Sequence, residues 1–87
     1  MKYFAVLLPL LDKAKSDQFR PQHLSFLESM RNEGHVIANG RFTDGTGGLV
    51  IYKANSYEEC ETLVQQDPFI KEEARRYEIR EWDAVFA

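Results

Sequence analysis

The sequence predicts an α+β domain whose elements run β-α-β-β-α-β, folding into a four-stranded antiparallel sheet with two helices on one face. Three observations carry this. The chain opens on an almost uninterrupted apolar run, a glycine-rich turn links two short apolar segments near its middle, and a segment with helical periodicity lies on either side of that pair.

The first strand spans residues 3–10, with Pro9 near its end, where a missing donor does little harm. Residues 12–17, Asp-Lys-Ala-Lys-Ser-Asp, read as a polar loop. A helix is expected from residue 20 or 21 to 33, with Pro21 in its first turn and Gly34 as its stop. Strand two lies over 36–42 and strand three over 49–53. The turn Asp44-Gly45-Thr46-Gly47-Gly48 between them tolerates positive φ and makes the pair a hairpin. Ser56-Tyr57-Glu58-Glu59 is a capping box that starts helix two, which runs to about residue 66 with Tyr57, Cys60, Leu63 and Val64 as its apolar stripe. Asp67-Pro68 opens a short further turn carrying Phe69 and Ile70, and the last strand lies between 77 and 86. This is the ferredoxin-like arrangement, in one domain over 1–87.

The strands also predict a partner. A sheet with one wet face alternates apolar and polar residues. Here strand one sets Phe4, Val6 and Leu8 against Tyr3, Ala5 and Leu7, and strand three sets Leu49 and Ile51 against Val50 and Tyr52. Two helices cover one side only. The other leaves a large apolar patch, and a chain of 87 residues has a thin core to begin with. Packing two such sheets face to face in a homodimer with a barrel-like centre solves both problems.

Composition removes several classes. With 11 basic and 14 acidic residues the net charge is −3, against the basic face that nucleic acids require. The opening apolar run is followed at once by Asp12-Lys13 and is far shorter than the roughly 20 residues that cross a bilayer, so it is read as a buried strand and not as a signal or membrane segment. The single cysteine, Cys60, fits a reducing, cytoplasmic setting and the core of helix two. No Cys/His cluster has zinc spacing, and the glycine turn at 45–48 joins strands instead of opening a helix, so no metal or nucleotide cofactor is expected.

Two residues stand out chemically. On the first helix Phe19, His23, Phe26, Leu27 and Met30 share one arc, which aims the His23 imidazole at the sheet. It is either a core histidine satisfied by backbone groups or a general acid/base at the floor of a pocket. Asp67 before Pro68 is a favoured helix cap, and it is also placed to orient an imidazole. Both roles can coexist, one oxygen capping and the other holding His23. Arg20, one turn before His23, is either a solvated helix charge or a partner for a substrate carboxylate.

Arg20-Pro21-Gln22-His23-Leu24, Asn39-Gly40-Arg41, Asp44-Gly45 and Gln66-Asp67-Pro68-Phe69, in that order behind the start Met1-Lys2-Tyr3-Phe4, resemble the YciI-like family over essentially the whole chain. The resemblance implies a dimeric α+β barrel and an enzyme whose shared histidine and aspartate fall on His23 and Asp67. Where the family often has Gly-Pro this chain has Gly40-Arg41; Arg41 is either a cation beside the pocket or an exposed strand residue. The expectation is a cofactor-independent His-Asp dyad for isomerisation or elimination of a small, anionic cyclic compound, with Arg20, Arg41 and Phe69 binding substrate. The alternatives are a small-molecule-binding module without turnover and a structural dimerisation domain.

Overall fold

The computed structural model describes residues 1–87. Its elements are β1 (Lys2–Pro9), α1 (Lys13–Asn32), β2 (Val36–Arg41), β3 (Gly47–Ala54), α2 (Tyr57–Val64), α3 (Pro68–Lys71) and β4 (Glu78–Trp82). The strands form one antiparallel sheet in the order β2-β3-β1-β4, so the first strand is central and the hairpin lies to one side of it. This is the predicted ferredoxin-like α+β arrangement.

Alternation along β1 decides the layering. Phe4, Val6 and Leu8 point to the helices and are buried, and their cross-strand partners Tyr52 and Val50 on β3 are buried with them. Leu27 and Met30 of α1 and Cys60 and Val64 of α2 close the core from the other side. Tyr3, Ala5 and Leu7 point to the open face and are half-buried.

α1 is longer than predicted. It begins at Lys13 and not near Pro21, because Asp12 caps it: the Asp12 carboxylate accepts from the Lys15 N–H at 3.1 Å and its carbonyl takes the Ser16 N–H at 2.9 Å. Residues 13–17 are therefore helical, not loop, and Pro21 lies inside the helix, where the Asp17 carbonyl loses its usual donor. At the other end β4 stops at Trp82, short of Phe86. The following residues fold back so that the Phe86 ring meets Tyr3 edge-on at 5.3 Å and Trp82 at 6.2 Å, on the open face. No helix is long and apolar enough to cross a membrane.

Candidate active site

The site lies where α1, the start of α3 and the β2–β3 end of the sheet converge. α2 ends at Val64, and the chain turns through Gln65 and Gln66 to Asp67, which caps α3 with Pro68 at the first helical position. The turn brings Asp67 under the middle of α1. Its Oδ1 accepts from the Phe69 N–H at 2.9 Å, as a cap does. It also receives His23 Nδ1 at 2.8 Å, with Oδ2 at 2.9 Å from the same nitrogen. The cap and the imidazole contact thus share one oxygen, where a division between the two was expected. Asp67 is 1% exposed and His23 7%.

With both oxygens of one carboxylate within 2.9 Å of Nδ1, that nitrogen must carry the proton. Nε2 has no partner within the chain, yet no buried side-chain nitrogen or oxygen is left unsatisfied. Nε2 therefore keeps an opening to the space beside it. That space is a cavity of about 110 Å³. Leu8, Leu24, Leu27 and Val50 supply apolar wall, and Arg20, Asn39, Arg41 and Arg75 supply polar groups. Phe69 stacks on the His23 ring with centroids 3.9 Å apart and planes 13° from parallel. Burial and the neighbouring Asp67 carboxylate push the Tyr52 phenol up, so it stays protonated across the physiological range.

Each predicted site residue can now be placed. His23 and Asp67 are in contact, and Arg20, Arg41 and Phe69 line the same cavity. Arg41 faces it because its register partner on β3 is Gly48, which sits on the helix side of the sheet with Leu8. Among the other aromatics, Tyr3 is on the opposite face, Tyr52 is in the core and Phe42 lines a neighbouring hollow. His35 is half-buried and its backbone N–H bonds Met30; Asp44 is a turn residue whose Oδ1 accepts from the Thr46 N–H and hydroxyl.

Sequence reasoning missed Arg75. It follows a run of charged residues, and nothing in the spacing separates it from Arg76. Glu73 adopts a left-handed conformation (φ 56°), which ends α3 and lets the Ala74 and Arg75 N–H groups both donate to the Phe69 carbonyl. That turn carries Arg75 inward, with its guanidinium carbon 4.7 Å from the Phe69 ring centre.

A ferredoxin-like α+β domain with a buried, carboxylate-held histidine opening on a cationic cavity is the class this geometry defines. The chain belongs to the YCII-related domain family, whose model matches residues 1–83. The protein YjpA of Bacillus subtilis (strain 168), described as uncharacterized, is 28% identical over 72 residues, 78% of this chain and 85% of that protein. Among solved structures, 5-chloro-2-hydroxyhydroquinone dehydrochlorinase (TftG) from Burkholderia phenoliruptrix AC1100, in complex with 2,5-dihydroxybenzoquinone, superposes with a TM-score of 0.79 at 20% identity over 95% of both chains. At that identity the likeness is one of fold.

Proposed function

We propose that this chain is a small-molecule enzyme that uses His23 and Asp67 for proton transfer on a small, anionic cyclic compound, in an isomerisation or an elimination. One observation carries the reading: a buried imidazole held at Nδ1 by a carboxylate, with Nε2 left for a cavity. With Nδ1 protonated, the Nε2 lone pair takes a proton from a carbon next to a carbonyl, and Asp67 stabilises the imidazolium that forms. Isomerisation returns that proton to another atom of the substrate. Elimination expels a leaving group as an anion, and the proton passes from Nε2 to water. Arg20 and Arg41 hold the anionic group, and Phe69 keeps the imidazole in plane. The name of TftG describes an elimination from a hydroxylated ring, and its structure holds a cyclic oxygenated compound; both support this reading.

The test follows deuterium from solvent into hydroxylated quinols and cyclic enones incubated with the protein. Exchange that disappears in His23→Asn supports the enzyme. Binding of such compounds with no exchange and no release of a leaving group in the wild type makes the site a binding module instead. Long-range 15N–1H spectra of the neutral ring, assigned with a His35→Gln control, are expected to show a protonated Nδ1 and bare Nε2, and mixed tautomers in Asp67→Asn.

The proposal includes a homodimer through the open sheet face in a reducing compartment. Phe86 covers only the β1–β4 side of that face, and Ala38, Phe42, Leu49 and Ile51 line an uncovered groove on the β2–β3 side. Light scattering is expected to return twice the 10.1 kDa of one chain.

A further inference from the structure

We propose that Arg75, with Arg20 and Arg41, forms an oxyanion subsite beside His23, and that it selects a compact organic carboxylate of about one ring in size. The inference rests on the proposed use of this cavity by a substrate and adds the chemistry that the substrate must present.

Arg75 is fixed before any ligand arrives. Its Nε and Nη2 donate to the Ser16 hydroxyl at 3.3 and 3.1 Å, and Nη1 donates to the Leu8 carbonyl at 3.4 Å. Ser16 is itself buried on α1. A guanidinium carries five N–H donors. These three bonds leave one donor on each of Nη1 and Nη2 for an incoming carboxylate. The surroundings make room for it: a Cβ on Gly48 would lie 3.2 Å from Nη1 and 2.9 Å from the Gly40 carbonyl oxygen.

All of these partners are neutral. Burial pushes the Arg75 pKa down and the nearby Arg20 pushes it further, against a smaller opposing pull from Asp67. None of the three arginines makes an ion pair within the chain. No carboxylate lines the cavity, since Asp67 stands on the Nδ1 side of the imidazole, and Asp17 in the adjoining hollow is paired with Lys13. Three cations converging without an anion repel one another in a partly desolvated space, and an incoming oxyanion relieves that repulsion. Size sets the upper limit. A cavity of about 150 Å³ holds benzene, and this one, at about 110 Å³, is open on one side to Arg20 and Arg41.

The experiment titrates the full-length chain at fixed ionic strength with benzoate, its neutral counterpart benzamide, and inorganic phosphate, followed by 1H–15N NMR. Benzoate is expected to move the Gly48 backbone amide and the Arg75 side-chain resonances and to bind at least tenfold tighter than benzamide. Arg75→Gln is expected to weaken benzoate tenfold or more, with Arg75→Lys between the two. If Arg75→Gln does not fold, Arg41→Gln and Arg20→Gln carry the same test with smaller expected losses. Equal affinity for benzoate and benzamide overturns the inference, as does wild-type affinity in all the arginine variants. Phosphate binding tighter than benzoate overturns the organic carboxylate. The titration is repeated in His23→Asn, where benzoate affinity is expected to persist. Failure of the proton-transfer reading would leave that result unchanged, so the two ideas fail separately.

Discussion

The two faces of the sheet are made from the same strands and from equally apolar residues, yet they end in different states. On the helix side Phe4, Val6, Leu8, Val50 and Tyr52 are at most 2% exposed. On the other side Tyr3, Ala5, Leu7 and Leu49 remain half-buried within one chain, and only Ile51 reaches 8%. Composition does not separate the faces; cover does. The covered face can hold a desolvated His23–Asp67 pair and a small cavity because the packed core around them keeps both residues buried. The open face has residues suited to a core and no second layer within the chain, which is the physical ground for the proposed dimer. Chemistry and association are thus assigned to opposite sides of one sheet.

Breaking the covered face at its site is expected to give the largest effect. His23→Asn removes the proton acceptor, and proton exchange into a responsive compound is expected to fall by about 10²–10⁴-fold. Asp67→Asn is the sharper variant, because asparagine caps a helix nearly as well as aspartate. It should leave α3 in place, keep the thermal midpoint near wild type and still lower the rate. Neither change is expected to alter the mass in solution. A loss of dimer in either would show that the two faces are coupled and would end the separation drawn above.

Core substitutions compare the faces directly. Phe4→Ala empties a fully buried position and is expected to cost about 3–5 kcal/mol, independent of protein concentration. Leu7→Arg, three residues away and on the other side, is expected to leave one chain folded and to halve the mass measured by light scattering. Its denaturant midpoint should lose the concentration dependence expected of the proposed wild-type dimer. A Leu7→Arg protein that stays dimeric places the interface elsewhere.

A third comparison uses the cysteine. Cys60 is fully buried on the covered side, and burial, with the acidic neighbours Glu59 and Glu61, pushes its thiol up to about 12 from an ordinary 9. The native thiol should resist alkylation at neutral pH until the chain unfolds. The folded value lies above the unfolded one, so this stabilising contribution is intact below pH 9 and is lost as pH rises from 9 toward 12. The expected loss is on the order of 1 kcal/mol per pH unit in that window, read as the difference between wild type and Cys60→Ala.

Much of this was legible in the sequence because the signals were local or periodic. The order of elements along the chain, the Ser56 capping box, the inward arc of α1 and the identity of Asp67 as a cap all follow from residue type and spacing, and the family resemblance joined His23 to Asp67. What escaped depends on the chain meeting itself far away. The first turns of α1 show no apolar stripe, because the buried residue there is Ser16, and its burial comes from Arg75 at the far end of the sequence. Arg75 in turn is indistinguishable from Arg76 until the left-handed turn at Glu73 selects one of them. A polar residue that packs against another polar residue leaves no hydrophobic pattern to read.

That link gives the smallest prediction and the most local one. Asp12→Ala removes the cap of α1, and the expected cost is about 1 kcal/mol, by chemical denaturation. The capped turn ends at Ser16, which holds two of the Arg75 donors, so fraying there should also release the guanidinium. Asp12→Asn restores a cap without the charge and should recover both stability and benzoate affinity. Ser16→Ala keeps the helix and removes only the hydroxyl, so it should lower benzoate affinity with little change in stability. Loss of affinity in Asp12→Ala but not in Ser16→Ala would mean that the helix start, and not its grip on Arg75, shapes the cavity.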